Sequence, residues 1–181
     1  MGHYRTKDLL LPPSLVSFLR APLAALFPFT VDRPGVALGV IAVAGASDVL
    51  DGFLARRFNL ATPAGAVVDG VTDKLFASSV VATLFFTGRL DLLGVALLGM
   101  RELGEAPLVL WWAVSRPRRK AKAEAPKANA LGKAATVLQF VAVGAALLAH
   151  PAAWPLLYAT GALGLVAALS YWRRELASLA R

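Results

Sequence analysis

Six stretches of the chain consist mostly of apolar residues, and each approaches the length of a helix that crosses a membrane. Such a helix needs about 20 apolar residues. Turn-forming and charged residues collect between the stretches, where loops are expected. The pattern therefore predicts an all-α integral membrane protein with six transmembrane helices. The predicted helices are Ser14–Phe29, Gly35–Leu54, Ala64–Thr87, Leu90–Val114, Leu131–Ala149 and Ala153–Trp172.

The polar ends of the chain lie outside these helices. Residues 1–13 are predicted to form a short amphipathic segment at the inner membrane surface, because leucines follow two basic residues there. Residues 14–173 would form the helical domain, and residues 174–181 a cytoplasmic tail. Residues 115–130, between the fourth and fifth helices, are rich in Lys, Arg, Ala and Pro, which indicates a cytoplasmic loop.

The distribution of basic residues predicts the orientation of the helices. Cytoplasmic loops of membrane proteins carry an excess of Lys and Arg. With both termini in the cytoplasm, most of the 19 Lys and Arg residues fall in cytoplasmic segments, and the outer loops hold only Arg33 and Arg89. We therefore predict a multi-pass protein of the cytoplasmic (inner) membrane with both termini on the cytoplasmic side.

The overall composition agrees with a membrane protein. Of the 181 residues, 57% are hydrophobic and 17% charged, whereas soluble domains average about 45–50% and about 25%. The absence of cysteine excludes a disulfide scaffold, a zinc–thiolate site and a cysteine nucleophile. The net charge of +8 would suggest a nucleic-acid partner in a soluble protein, but topology accounts for it here, so no such partner is predicted.

Four aspartates fall within or beside the second and third predicted helices. An acidic residue inside a membrane costs about 2.5–3.5 kcal/mol on insertion scales, so it usually has a function. The first two aspartates are three residues apart and the last two are four apart, so each pair shares one helix face. Thr62 and Pro63 are suited to begin the third helix as its N-cap and first residue. The four aspartates are Asp48, Asp51, Asp69 and Asp73.

Two antiparallel helices would bring these four carboxylates together near the cytoplasmic side. Four like charges at close range require a cation, and oxygen ligands alone select Mg²⁺, Mn²⁺ or Ca²⁺. Four carboxylates could hold two metal ions about 3.5–4 Å apart, an arrangement suited to phosphoryl chemistry.

Small residues leave the faces beside these aspartates bare. Gly52 and Ala55 follow Asp51 on its helix, and Gly65 precedes Asp69 on the next. Two bare walls beside a metal cluster predict a slot for a closely held ligand such as a nucleotide with its phosphates. Arg56, at the helix end, could bind a phosphate through two donors at once.

Together these residues resemble the signature of the CDP-alcohol phosphatidyltransferase family. The matching string is Asp48-x-x-Asp51-Gly52-x-x-Ala55-Arg56, then eight residues, then Gly65-x-x-x-Asp69-x-x-x-Asp73. The resemblance implies a core of six transmembrane helices in a homodimer. It also implies transfer of a phosphatidyl group from CDP-diacylglycerol to an alcohol, with release of CMP.

The resemblance assigns roles to the motif residues. All four aspartates would bind two Mg²⁺ or Mn²⁺ ions, and Asp73 would also be the general base for the incoming hydroxyl. Gly52, Ala55, Arg56 and Gly65 would contact the CDP moiety.

Further residues resemble the phosphatidylglycerophosphate synthase branch of that family, whose acceptor is glycerol 3-phosphate. They are Arg101-Glu102, Gly132-Lys133-x-x-Thr136-x-x-Gln139 and Asp73-Lys74. Because this acceptor is a dianion, Arg101, Lys133, Arg116 and Arg118 are its candidate partners. Ala135 and Gly70 replace the branch's usual lysine and proline, and Ser14 and Ser17 its usual Asn and Thr, although Arg20 is retained.

Other interpretations remain open at this stage. The same chemistry could serve phosphatidylglycerol, as in cardiolipin synthase, or inositol phosphate or serine. The aspartates could instead form a structural salt-bridge network with Arg56, Arg57 and Lys74, although few cations lie near them in the sequence. Intramembrane carboxylates also occur in metal-dependent transporters, and an inactive lipid-binding homologue would keep the same pattern.

Overall fold

A computed structural model describes residues 11–58, 60, 62–114 and 130–179, and all regular structure in these ranges is helical. This agrees with the predicted all-α class. A 3₁₀ turn at Phe27–Phe29 lies between the second and third helices. The α-helices are α1 Pro12–Phe18, α2 Arg20–Leu26, α3 Pro34–Arg57, α4 Pro63–Phe86, α5 Leu92–Leu98, α6 Met100–Val114, α7 Ala130–Leu147 and α8 Ala153–Leu179.

Two of the six predicted helices are interrupted. The first divides into α1 and α2, because Pro22 has no N–H to donate to the carbonyl of Phe18 and its ring crowds that carbonyl. At the break, the Leu19 N–H bonds instead to Val16 O at 3.1 Å, a tighter turn than in an α-helix. The fourth divides at Gly99 into α5 and α6.

Prolines free backbone carbonyls, and side chains of other helices donate hydrogen bonds to carbonyls at or beside two of these prolines. Pro28 cannot donate to Ala24, whose carbonyl accepts from the hydroxyl of Ser79 on α4 at 2.6 Å. Pro107, inside α6, leaves the carbonyl of Leu103 without its helical donor. The carbonyl of the next residue, Gly104, accepts a hydrogen bond from the indole N–H of Trp172 on α8 at 2.8 Å. A backbone polar group inside a membrane is costly unless it is paired in this way.

The chain forms two compact units. The first, Met1–Gly88, contains α1 to α4. Its interior includes the edge-to-face contact of Phe27 with Phe76, whose ring centroids are 6.3 Å apart. The start of α4 is as predicted: Pro63 is in the first turn, and the Thr62 hydroxyl accepts from Gly65 N at 3.1 Å.

The second unit, Arg89–Arg181, contains α5 to α8. Glycines allow α8 to approach α5 and α6 closely. A Cβ built on Gly104 would lie 2.6 Å from the Cβ of Ala168, and one on Gly161 would lie 2.6 Å from Leu97 Cδ2. Such close contacts between small residues are common where membrane helices pack together.

By length and apolar composition, two helices of the described chain can cross a membrane: Pro34–Arg57 and Ala153–Arg173. Large apolar side chains are also exposed on other helices, for example Phe86 of α4 and Leu92 of α5. Large exposed apolar surfaces mark sites of contact with a membrane or with another protein. Six spans with both termini in the cytoplasm remain a prediction, and residues 1–10 of the predicted interfacial segment lie outside the described residues.

Candidate metal centre

The four aspartates come together in the first unit. Asp48 and Asp51 are on the C-terminal part of α3, and Asp69 and Asp73 are on the N-terminal half of α4. Candidate ligand oxygens of Asp48, Asp51 and Asp69 lie within 4.8 Å of one another. The two helix-face pairs predicted from the spacing therefore do converge.

At the centre of the cluster lies Arg20, the first residue of α2. Its side chain is 1% exposed. Its Nη1 donates to Asp48 Oδ1 at 3.1 Å and lies 3.6 Å from Asp73 Oδ1. Its Nη2 donates to Asp51 Oδ2 and, at 2.5 Å, to Asp69 Oδ1. Each terminal nitrogen thus connects one carboxylate of α3 with one of α4.

Two serines of α1 complete the buried side of the cluster. Ser17, 2% exposed, donates to Asp51 Oδ2 at 2.6 Å. Ser14 is also buried, and its hydroxyl faces Gly65: a Cβ built on Gly65 would lie 3.2 Å from Ser14 Oγ and 3.1 Å from Thr62 Oγ1. The bare face of Gly65 is therefore covered by two hydroxyl groups.

The four carboxylates differ in their exposure to solvent. The side chain of Asp51 is 6% exposed, whereas those of Asp48, Asp69 and Asp73 are 54%, 44% and 61% exposed. Asp51 is thus enclosed between the arginine and Ser17, and the other three can be reached from outside the protein.

The donor set fits a divalent metal ion. The four carboxylates carry a formal charge of −4, and the guanidinium of Arg20 reduces it only to −3. Oxygen ligands on opposite sides of Mg²⁺ are about 4 Å apart, from its bond lengths of about 2.0–2.1 Å. Small side-chain rotations would therefore bring Asp48, Asp51 and Asp69 onto one cation.

Arg20 and Ser17 were not among the site residues that the sequence predicted. Spacing along the chain relates only neighbouring residues, and Arg20 lies 28 to 49 residues away from Asp48, Asp51 and Asp69. Two signals were available. Ser17 and Arg20 lie at positions of the branch pattern, and an arginine within an apolar stretch needs an acidic partner, for which the aspartates are the obvious choice.

The residues predicted to bind CDP lie next to the cluster. Gly52 directly follows Asp51, and the guanidinium of Arg56 lies over it: a Cβ on Gly52 would be 3.2 Å from Arg56 Nη1. Arg56 is exposed and Ala55 half-buried. An exposed guanidinium on a flexible side chain beside a metal centre is suited to bind a phosphate group.

The predicted acceptor residues belong to the second unit or lie outside the described residues. The Arg101 guanidinium donates to Thr136 Oγ1 at 2.9 Å and forms ion pairs with Glu102 at 2.9 Å and Glu105 at 3.7 Å. Gln139 donates to the carbonyl of Leu98 at 2.7 Å. The side chain of Lys133 and all of Arg116 and Arg118 lie outside the described residues.

Comparison with known proteins adds evidence independent of this geometry. The family model described as CDP-alcohol phosphatidyltransferase matches residues 10–172. The chain is 32% identical over 158 residues to the cardiolipin synthase (CMP-forming) of Streptomyces coelicolor, covering 83% of this chain and 71% of that protein. It is 35% identical over 179 residues to the CDP-diacylglycerol--glycerol-3-phosphate 3-phosphatidyltransferase of Pseudomonas fluorescens, covering 89% and 88%.

Other similarities are shorter relative to the proteins matched. A 73-residue segment is 37% identical to the CDP-diacylglycerol--inositol 3-phosphatidyltransferase of Candida albicans, covering 40% of this chain and 32% of that protein. The chain also spans only 50% to 56% of the length of the animal cardiolipin synthases that it matches.

Proposed function

The chain belongs to the CDP-alcohol phosphatidyltransferase family and is an enzyme, and from this premise we propose that it transfers the phosphatidyl group of CDP-diacylglycerol to glycerol 3-phosphate. The products are phosphatidylglycerophosphate and CMP. The observation that carries this proposal is the convergence of four aspartates, at the family's spacing, around a buried arginine.

In this proposal Asp48, Asp51, Asp69 and Asp73 hold two Mg²⁺ or Mn²⁺ ions. When bound, the ions neutralise the pyrophosphate of the donor and stabilise CMP as the leaving group. The enclosed Asp51 is suited to a fixed ligand role, because Arg20 and Ser17 restrict its rotation.

Asp73 serves as the general base. Its side chain is the most exposed of the four, at 61%, and its contact with Arg20 is the longest, at 3.6 Å. A carboxylate with these properties can approach the hydroxyl of an incoming acceptor. Asp73 takes the hydroxyl proton as the acceptor oxygen bonds to the phosphatidyl phosphorus, and the bond from that phosphorus to the CMP oxygen breaks.

The CDP moiety is held by Gly52, Ala55, Arg56 and Gly65. Gly52 lets the nucleotide approach the α3 backbone, since only the movable guanidinium of Arg56 lies over it. Arg56 then swings onto a phosphate. Gly65 contributes to this site from the side that faces α1. Because it has no side chain, the Ser14 and Thr62 hydroxyls fit against it and keep α1 close to the start of α4.

The acceptor phosphate is assigned to Arg101 and Lys133, with Arg116 and Arg118 as further cations. The similarity to the Pseudomonas fluorescens enzyme supports glycerol 3-phosphate. A second candidate acceptor is phosphatidylglycerol, which the cardiolipin synthase similarity favours. Inositol phosphate and serine are the remaining alternatives of the same chemistry.

Around this site we propose six transmembrane helices in the inner membrane, both termini and the active site on the cytoplasmic side, and a homodimer. The positive-inside distribution of Lys and Arg supports this orientation. CDP-diacylglycerol carries a water-soluble head on two acyl chains, so its reactive phosphate lies at the membrane surface, where the site must be.

The test is CMP release by the purified protein, given CDP-diacylglycerol, Mg²⁺ or Mn²⁺, and one acceptor at a time. We expect CMP with glycerol 3-phosphate, together with phosphatidylglycerophosphate. CMP with only another alcohol would keep the mechanism and change the acceptor. No CMP with any acceptor, from folded protein, would favour an inactive lipid-binding homologue or a transporter.

A further inference from the structure

Arg20 reaches one oxygen of every aspartate in the cluster. The oxygens are Asp48 Oδ1, Asp51 Oδ2, Asp69 Oδ1 and Asp73 Oδ1, and the contacts come only from the two terminal nitrogens. Its Nε is buried and has no hydrogen-bond partner among the described residues. The guanidinium is therefore oriented to serve the four carboxylates, even though one of its own donors is left unpaired.

We infer that Arg20 is a positioning residue: it is the built-in counter-ion that lets the four carboxylates assemble, and it sets how strongly the fold depends on divalent metal. This inference rests on the proposed metal site. It extends that site from the acidic motif of α3 and α4 to the beginning of α2.

Charge explains why a built-in cation is needed. Four carboxylates at these distances repel one another, and water screens a buried group such as Asp51 poorly. With Arg20 in place the formal charge is −3, and two divalent ions bring it to +1, which suits a pyrophosphate ligand. Without Arg20 the formal charge of the four carboxylates is −4, and the cluster then depends more strongly on bound metal ions to offset it.

The shape of the side chain also matters. A guanidinium is planar and presents two terminal nitrogens in a fixed fork. This fork lets Nη1 contact Asp48 and Asp73 while Nη2 contacts Asp51 and Asp69. An ammonium group carries the same charge at a single point, so lysine at this position would compensate charge without connecting both carboxylate pairs.

The experiment measures thermal unfolding of detergent-purified full-length protein, with EDTA and with increasing Mn²⁺. Wild type is compared with Arg20→Gln, Arg20→Lys and the control Arg33→Gln. Arg33 is exposed at the start of α3, and its side chain makes no capping hydrogen bond. It lies about 22 Å from Asp48 along the helix. The readout is helical circular dichroism, because all four Trp lie beyond residue 88 and would report only on the second unit.

We expect Arg20→Gln to lower the Tm strongly in EDTA. Mn²⁺ should raise the Tm of this variant at least about twice as much as it raises that of wild type, because a more negative site attracts a divalent ion more strongly. Arg20→Lys should lie between the two, and Arg33→Gln should match wild type. A merely structural arginine would instead lower the Tm equally with and without Mn²⁺.

The outcomes separate this inference from the proposed function. If Mn²⁺ fails to stabilise wild type, the proposed metal site fails and the inference with it. If Mn²⁺ stabilises wild type and Arg20→Gln by the same amount, the metal site stands and the inference is overturned. Should Arg20→Gln not fold even with Mn²⁺, Arg20→Lys decides: a larger Mn²⁺ response than wild type supports the inference, and an equal one overturns it.

Discussion

Replacing Gly65 by alanine tests whether the contact between α1 and α4 supports the proposed metal centre. The new Cβ would lie 3.1 Å from Thr62 Oγ1 and 3.2 Å from Ser14 Oγ, closer than ordinary van der Waals contact. Thr62 is the N-cap of α4 and Ser14 is 2% exposed, so neither hydroxyl can move without disturbing its element.

The change in the free energy of unfolding of Gly65→Ala is the balance of destabilising and stabilising contributions. Overpacking a buried contact costs about 1–3 kcal/mol, and weakening the N-cap about 1 kcal/mol more. Alanine returns up to about 1 kcal/mol because it loses less backbone freedom than glycine in a helix. The net loss is about 1–3 kcal/mol, which lowers the Tm of a chain this long by about 2–4 °C per kcal/mol.

The assay compares Gly65→Ala with Gly70→Ala on the same helix, at one heating rate, because membrane proteins often unfold irreversibly in detergent. A Cβ on Gly70 would meet nothing within 4 Å, so Gly70→Ala should keep or raise the Tm. CMP release by Gly65→Ala should also fall several-fold. A shift of Ser14 would also move Ser17, one turn further along α1, and Arg20 after it, and both of these contact the aspartates. Equal Tm values and full activity in Gly65→Ala would refute this reasoning.

Three further predictions concern other parts of the molecule. Asp73→Asn should reduce CMP release at least about a hundredfold while donor binding is largely retained; full turnover would remove Asp73 from the mechanism. Arg101→Gln should raise the KM for glycerol 3-phosphate about tenfold, the loss expected for one charge-assisted hydrogen bond, and leave the donor KM unchanged. Equal effects on both substrates would give Arg101 a structural role, through its contacts with Glu102 and Thr136. Gly104→Ala should destabilise the protein by about 1–3 kcal/mol, because its Cβ would lie 2.6 Å from that of Ala168; an unchanged Tm would contradict the close approach of α6 and α8.

The aspartates of the candidate site were predictable because their positions relative to one another depend on short spacings in the sequence. Spacings of three and four residues place Asp48 with Asp51, and Asp69 with Asp73, on common helix faces. The Thr62–Pro63 signal also placed the start of α4, since an N-cap and a first-turn proline depend only on neighbouring residues.

The buried half of the site was not predictable from spacing. Arg20 and Ser17 reach Asp48, Asp51 and Asp69 through tertiary packing of α1 and α2 against α3 and α4, across 28 to 49 residues of sequence. Similarly, the Arg101 contact with Glu105 follows from their helical spacing of four residues, and Glu102 is its neighbour in sequence. The hydrogen bond of Arg101 to Thr136, by contrast, joins two separate helices.

The ends of the helices were predicted less well than the presence of helices in these parts of the chain. Apolar periodicity does not register the carbonyl that Pro22 leaves without a donor, so α1 and α2 were predicted as one helix. At the other end of the chain, α8 continues to Leu179, beyond the predicted end at Trp172. Three charged residues, Arg173, Arg174 and Glu175, follow Trp172 and end the apolar run, but Arg and Glu are good helix formers, so the helix continues.

The central claim is that four carboxylates, assembled around Arg20, hold the divalent ions on which phosphatidyl transfer depends. The most direct measurement is CMP release from CDP-diacylglycerol and glycerol 3-phosphate by purified protein, before EDTA, after EDTA, and after Mg²⁺ or Mn²⁺ is added back. We predict that EDTA stops CMP release and that either ion restores it. Turnover that continues unchanged in EDTA would contradict the claim.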